Sequence, residues 1–427
     1  MNLQPKDRRV QRFMARHKKS PAYQWDDVRD PRARRGRRWP LQQLLDAALL
    51  GMVAGCATLR DVEAQTDEMG EAGRVYVPRR VPDTTLYELL GRLDIEQLRN
   101  KLRQQVRSLY RAKSLEPEAL PCGVVSIDGK GIGTLEHDAE ATAQKAHRED
   151  GSPYWLVRAL RAVLTSSEAR PCIDQMPVAA KTNEMGDFSA FFDGIEQAYG
   201  RLDLFEIVTV DAGMTSKKNA EQIHGAHRAY VMALKETQPE LLREAERLLR
   251  PLTQTPPAAE TPWEKAQGKQ VRRRLYRTTE IAGYHEWTHL AQAWLVVQET
   301  RSADGTIEIE DRFFVTSVRP GRLSAAQILL VVRGHWRIEN DCFWSLDTQW
   351  GEDDRPWRST GRAVEVVSLF RLMAYNLLQL ARQRHLRPRR AGGRPATPPP
   401  WRRMFEWTRQ ALRLALDPPV APAPGIG

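Results

Sequence analysis

Behind Pro40, Leu41, Leu44, Leu45, Ala48, Leu49 and Met52 recur at spacings of three and four, the apolar stripe of a helix that buries one face. The same period predicts a second helix over Leu59 to Met69. A third opens at Pro82-Asp83-Thr84-Thr85, with Asp83 or Thr84 as its N-cap and Leu86, Leu89, Leu90 and Leu93 turned inward. A fourth covers Glu96 to Lys113, and the VYVP between the second and third reads as a short strand. Residues 21–115 are therefore expected to form an all-α N-terminal domain.

From Pro121 the pattern changes. Gly123-Val124-Val125-Ser126-Ile127 is a β-branched run ending in Asp128-Gly129, a buried strand with a carboxylate at its C-terminal end. Strands are predicted over Trp155 to Ser166 and Pro171 to Val178, and an amphipathic helix over Asp187 to Tyr199. Leu204 to Val210 is another buried strand that ends in a carboxylate, Asp211, before Ala-Gly. A helix over Ala220 to His227 and a strand over Ala229 to Leu234 complete an alternation that indicates an α/β sheet. Residues 238–310 break this rhythm with a charged helix (Glu240 to Leu249), a Pro-rich link and strands that include Gln292 to Glu299 and Glu308 to Val318, a β-rich insertion. Helices resume at Ser324 to Ile338 and Ala363 to Arg382, which sets the α/β domain at 120–385. The tail, 386–427, is Pro/Arg-rich and reads as unstructured apart from one short helix.

Charge adds a partner to this picture. Lys and Arg total 65 against 54 Asp and Glu, a net charge of +11 with a pI near 9.6. That balance favours a polyanion, and double-stranded DNA is the expected one. The N-terminal segment 1–20 and the RDPRARRGRR that follows are runs of positive charge, either solvated or suited to phosphate contacts. None of the four cysteines forms a CxxC pair, and no Cys/His cluster has zinc spacing, so they read as reduced, small apolar residues. The basic N-terminus has no apolar run behind it, and Leu41 to Leu59 is too short and too polar to span a bilayer. A cytoplasmic location is expected.

Asp128 and Asp211 end two strands, and a later helix carries Glu339 within His335-Trp336-Arg337-Ile338-Glu339-Asn340. Three carboxylates on separate elements suit hard divalent cations, and two such ions can activate the attacking oxygen and stabilise the leaving one at a phosphodiester. Spacing alone does not select these three from 54 acidic residues, since an Asp at a strand end is more often a cap or turn residue. DGKGIG is not a phosphate loop, because Gly123 to Gly129 is one residue too long and Gly131 replaces the needed Ser or Thr.

Four blocks do select them: DPRARRGRRWPLQQLLDAALLGMVAG with PDTTLYELLGRLD; VVSIDGKGI; KTNEMGDFSAFFDGIEQAYGRLDLFEIVTVDAG; and RGHWRIENDCFWSLDTQWGEDDRPWRS. With these the chain resembles the DDE-type insertion-sequence transposases, H-repeat-associated branch, from about Asp30 to Arg382. The resemblance implies an α/β ribonuclease-H-like catalytic domain with a β-rich insertion, preceded by the all-α N-terminal domain as the DNA-binding part. It implies binding of the element's terminal repeats, with metal-dependent strand cleavage and strand transfer by a homodimer on DNA. Asp128 in IDGK, Asp211 in VDAG and Glu339 in RIEN match the catalytic carboxylates, holding two Mg²⁺ (or Mn²⁺) ions. Where the broader group carries a Tyr-Arg-Glu-Lys signature, His335 stands at the Arg and Leu346 at the Lys.

Several neighbours are open to two readings. Lys130, His335 and Arg337 are candidate DNA contacts beside the carboxylates, and Thr84 and Thr85 open the candidate reading helix; each is otherwise an ordinary surface or helix-face residue. Lys181 and Asn183 either touch DNA or cap a helix. Asp347, Glu352, Asp353 and Asp354 either supply a rival metal ligand or pair with Arg355 and Arg358. Trp336, Trp344 and Trp350 either stack on a flipped base or pack in a core. A metal-dependent DNA nuclease without strand transfer, or a degenerate remnant acting only as a DNA-binding protein, would carry many of the same features.

Overall fold

A computed structural model describes residues 4–137, 143–266, 268–387 and 396–416. The expectations for 1–3, 388–395 and 417–427, which include part of the Pro/Arg-rich tail, lie outside the described residues.

The chain opens with helices α1 (Pro5–Lys18), α2 (Leu41–Val53), α3 (Leu59–Asp67), α4 (Glu71–Arg74), α5 (Asp83–Leu90) and α6 (Ile95–Arg111). Strands β1 (Val124–Leu135), β2 (Gln144–His147), β3 (Pro153–Leu164) and β4 (Cys172–Pro177) lead to α7 (Glu184–Tyr199), β5 (Ile207–Val210), α8 (Lys217–Gly225) and β6 (Ala229–Ala233). There follow α9 (Pro239–Leu249), β7 (Ala259–Glu260), β8 (Glu264–Ala266), β9 (Lys269–Thr278), β10 (Gln292–Arg301) and β11 (Ile307–Thr316). The last elements are α10 (Ala325–Arg337), α11 (Trp344–Trp350), α12 (Gly361–Leu380) and α13 (Trp401–Arg413).

These group into two compact units, Met1–Ser114 with Gly131–Val157 and Trp344–Gly427, and Leu115–Lys130 with Arg158–Phe343. The division differs from boundaries at 115 and 385, because α12 is buried on every side and packs against α2 and α6. The first unit is held by non-local pairs. Val10, Phe13 and Met14 make the basic N-terminal segment one side of a helix pair, α1 with α13. Gln105 Nε2 donates to Tyr23 Oη at 2.6 Å and to the Met373 carbonyl at 2.9 Å, and Asn376 Nδ2 donates to Gln105 Oε1 at 2.9 Å. α3 starts on a capping box, with Thr58 and Asp61 satisfying each other's backbone N–H. The VYVP expected as a strand instead follows the short helix α4 as turn and coil, its Val77 buried. Gly361–His385 is long and apolar enough to cross a membrane, and its most apolar stretch of 18 residues is buried inside the protein.

The second unit is built on a mixed sheet. β1 runs parallel to β5 and β5 parallel to β6, with registers Ser126↔Thr209 and Val210↔Met232. β4 pairs antiparallel with the second half of β3, which neighbours β1. Beyond β6 the order continues β11, β10, β9 and β7, so the β-rich insertion extends the same sheet. One apolar layer unites them: Val124 and Ile207 share a core with Trp294, Val296 and Phe314, covered by Ile328, Leu329, Val331 and Val332 of α10. Helix α10 begins at a Ser324–Gln327 capping box and ends in a π-helical segment, Ile338–Phe343. The mixed sheet with its helices fits a ribonuclease-H-like fold.

Candidate functional site

Asp128 lies within β1, which runs on to Leu135 where an end was expected, and Asp211 directly follows β5; both stand one residue past the last β1–β5 pair, Ile127↔Val210, at the same end of that parallel pair. Asp128 is 9% exposed, and its Oδ1 accepts the Gly129 N–H at 2.8 Å. Burial pushes its carboxyl up to about 8, and the nearby charges of Asp211, Glu339 and Glu184 push the same way; against them stands the Gly129 N–H. Asp211 caps one 3₁₀ turn, Ala212–Met214, its Oδ1 accepting the Met214 N–H at 3.2 Å. A Cβ on Gly213 would come 3.2 Å from Asp211 Oδ2, so the glycine of VDAG keeps space open at that carboxylate.

Glu339 is exposed on the π-helical turn. Such turns insert an extra residue into the helical ladder and recur at functional sites. Here the turn is fixed on both flanks: Asn340 Nδ2 donates to the Trp336 carbonyl at 2.9 Å, and Asp341 pairs with Arg170 at 3.1 Å. The three candidate carboxylates are thus electrostatic neighbours. Among the described residues, though, no three His, Cys, Asp or Glu side chains stand together at metal-ligating spacing. A hard cation fits the donor chemistry nonetheless: all are carboxylates, and the charges acting on Asp128 are negative.

Glu184 is the residue that sequence reasoning missed. It is the first residue of α7, behind the N-cap Asn183, whose side chain accepts the Gly186 N–H at 2.8 Å. Glu184 pairs with Arg158 of β3 and lies so close to Gly129 that a Cβ there would collide with its carboxylate. Its only sequence signal is its place in KTNEMGD, where the cap drew attention instead.

The remaining candidates divide. His335 is buried, its Nδ1 2.9 Å from Thr209 Oγ1, and burial lowers the imidazole to about 4 despite the opposing pull of Asp211. It faces the sheet, so the structure does not present it as a phosphate contact. Lys130 is half-buried and lies over the Phe343 ring at 5.5 Å. Asn183 is a cap, and Lys181 is exposed nearby. Glu352 is buried in the other unit, where Ser368 Oγ donates to it at 3.0 Å; Arg371 donates to the carbonyls of Glu352 and Arg355, and Arg358 lies over Tyr87 at 4.4 Å. Trp350 is a core residue, its Nε1 donating to the Met52 carbonyl at 2.9 Å. Trp344 is 55% exposed. In the first unit Thr84 is exposed on a groove that also holds Arg60, Tyr87 and Trp357, and Thr85 is half-buried outside its lining. Helix α5 starts at Asp83, so Asp83 and Thr84 belong to its first turn and the cap position is Pro82.

Beside Glu339 opens a cleft of about 670 Å³ lined by Arg170, Lys269, Arg273, Arg312, Arg333 and Arg337, with Trp336 on its wall. Its cations crowd one another. Burial and the charges of Arg333 and Arg312 lower the Arg273 pKa, and burial with Arg170 and Arg333 lowers that of Arg337. Arg273 and Arg333 share one carboxylate, Glu264, at 3.8 and 2.8 Å. Arg312 stacks on Trp336 at 3.8 Å.

Residues 122–377 match the transposase DDE domain family, a span that contains Asp128, Asp211 and Glu339. The chain belongs to that family. Similar proteins include "H repeat-associated putative transposase YhhI" of Escherichia coli strain K12, 26% identical over 270 residues, covering 60% of this chain and 64% of YhhI. "Putative protein YbfL" of the same strain is 25% identical over 270 residues with the same coverage. "Putative transposase YncI" of Escherichia coli O157:H7 is 26% identical over 226 residues, 50% of this chain and 54% of its own. The matches thus span less than two thirds of the length of each relative. For a transposase DDE domain chain, the carboxylate neighbourhood and the adjoining basic cleft are the features with chemical content.

Proposed function

We propose that this protein is a DNA transposase that binds the ends of an insertion sequence and carries out strand cleavage and strand transfer, with Asp128, Asp211 and Glu339 as its catalytic carboxylates. The observation that carries the reading is the concentration of negative charge around buried Asp128. Burial and then the charges of Asp211, Glu339 and Glu184, carboxylates on separate elements, push its pKa up to about 8. A group held in that way is poised to exchange its proton for a cation.

Two divalent ions, Mg²⁺ or Mn²⁺, held by these side chains would supply Lewis acidity at the attacking and leaving oxygens of a phosphodiester. The protein's own part is then to position DNA and to neutralise its backbone. The arginine cleft beside Glu339 receives phosphates, and Arg337, crowded by Arg170 and Arg333 with Asp341 and Glu118 opposing, contributes to it. In the first unit the exposed Arg34, Arg35 and Arg38 with Thr84 of α5 bind the terminal repeats, phosphates supplying affinity and base contacts specificity. Joining two ends calls for at least a homodimer on DNA.

The test is a gel assay with labelled DNA carrying the element's terminal repeats, in Mg²⁺, Mn²⁺ or EDTA. Metal-dependent end cleavage and joined products, absent in Asp128→Ala, Asp211→Ala and Glu339→Ala with end binding retained, is the expected result. Cleavage with no joined product would make the protein a nuclease. Binding with no cleavage by the wild type would make it a DNA-binding remnant.

The cleft makes its own prediction. Each phosphate contact contributes about 0.9 to the slope of log K against log salt on duplex DNA. Arg333→Ala with Arg337→Ala is expected to flatten that slope by roughly two and to weaken all sequences alike. Fluorescence anisotropy across a salt series measures both, and an unchanged slope would remove the cleft from the DNA path.

A further inference from the structure

Ser126 stands two residues before Asp128 on β1, Thr209 two before Asp211 at the end of β5, and His335 four before Glu339 at the end of α10. Residues i and i+2 share a face in a strand, and i and i+4 share one in a helix. Ser126 and Asp128 therefore share a face of β1, while Thr209 and His335 lie in the elements that lead directly into Asp211 and Glu339. The three also meet. Thr209 Oγ1 lies 2.8 Å from Ser126 Oγ and 2.9 Å from His335 Nδ1. Ser126 Oγ lies 3.0 Å from Thr165 Oγ1, which donates to the Val124 carbonyl at 3.3 Å. All four side chains are buried.

One proton arrangement satisfies every hydroxyl. His335 Nδ1–H donates to Thr209, Thr209 to Ser126, Ser126 to Thr165, and Thr165 to the backbone carbonyl of Val124. Apolar side chains would fill a sheet interior without the desolvation that buried polar groups bring, so the core does not call for this chain. Its members fall instead at the offsets that join the three carboxylate-bearing elements. His335 also ties the end of α10 to β5 only three residues before the π-helical turn begins.

We infer that Ser126, Thr209 and His335 form a buried tie that sets the spacing of the Asp128, Asp211 and Glu339 carboxylates for divalent-cation binding. These are positioning residues, and the inference rests on the carboxylate assignment proposed above. Removing one hydroxyl lets β5 and α10 settle independently and loosens the cage without touching any ligand.

The experiment measures Mn²⁺ binding to the full-length, metal-free protein by electron paramagnetic resonance of free Mn²⁺, without DNA or turnover. Thermal unfolding is followed in parallel. Thr209→Val, which replaces the hydroxyl by a methyl of similar size, is expected to weaken Mn²⁺ binding about 10- to 100-fold, the range seen when groups supporting metal ligands are removed. Thr209→Ser, which keeps the hydroxyl, should remain within about twofold of the wild type, and His335→Asn, which keeps a donor near the Nδ1 position, should bind more tightly than His335→Leu. Wild-type affinity in a folded Thr209→Val protein would overturn the tie. Should that variant not fold, Ser126→Ala reads the same quantity, with wild-type affinity again the overturning result. Asp128→Ala and Asp211→Ala separate the two readings. If they too bind Mn²⁺ like the wild type, the carboxylate assignment fails; if they lose binding and Thr209→Val does not, the tie alone fails.

Discussion

Asp128→Asn is expected to lower strand cleavage about a thousandfold or more while raising the thermal midpoint of the metal-free protein at pH 8. The first effect follows from the proposed role: losing a ligand that fixes several kcal/mol of transition-state charge stabilisation corresponds to three or more decades in rate. The second follows from linkage. The folded protein holds the Asp128 proton up to about pH 8, whereas the unfolded chain releases it near the ordinary carboxylate value. Between those limits the unfolded state binds fewer protons, so rising pH favours unfolding, and above about 8 the penalty stops growing. Asn has the shape of the protonated carboxyl and carries no such penalty. A gain of roughly 2–3 kcal/mol at pH 8, about 5–10 °C for a unit of this size, is expected. It should shrink towards zero as the pH falls to about 4. Calorimetry of both proteins in EDTA from pH 4 to 9 measures it. A variant less stable than the wild type at pH 8 would show that Asp128 carries no such burden.

Gly123→Ala is expected to destabilise the second unit by about 3 kcal/mol or more. A Cβ at Gly123 would lie 1.9 Å from the Leu204 carbonyl oxygen and 2.7 Å from the Phe205 Cα. Both are backbone atoms, and the Gly123 carbonyl already accepts the N–H groups of Glu206 and Ile207 at 3.0 and 3.2 Å. No rotamer relieves the collision, so β1 must move away from β5, the two strands that carry Asp128 and Asp211. Gly225→Ala is the control, since nothing lies within 4 Å of its added methyl. It should change stability by less than about 1 kcal/mol, in the stabilising direction. Urea unfolding of the three proteins decides the matter, and a Gly123→Ala midpoint equal to the control would contradict this packing.

The strands that carry Asp128 and Asp211 were legible because a β-branched run ending in a carboxylate is a local signal, readable without knowledge of the fold. Glu339 had no such signal and came from the family resemblance. The His335 face was illegible for a definite reason: helical periodicity places His335 and Glu339 on one side but does not say which end of that side the sheet covers. Glu184 and Arg158 lie 26 residues apart on different elements, and only the folded chain brings Glu184 to Arg158 and to Gly129. The same holds for α1, which met a tail helix through Gln11 and Ala411, 400 positions away. A tryptophan's spacing says equally little: Trp344 and Trp350 share α11, yet one is exposed and the other buried. The π-helical turn has no sequence pattern we can point to.

The insertion strands have a bearing on self-association. β6 would be the border of the α/β sheet were it not for β11, which pairs with it through Val231 to Ala233, and Ser317, whose hydroxyl accepts the Tyr230 N–H. A shortened chain lacking 238–317, the insertion with all of β11 and Ser317, would expose that row of backbone donors and acceptors, a ready template for a strand from a second copy. The insertion therefore doubles as a guard rail on the sheet, and a lineage of this protein could trim its loops more easily than it could lose the hairpin that shields β6.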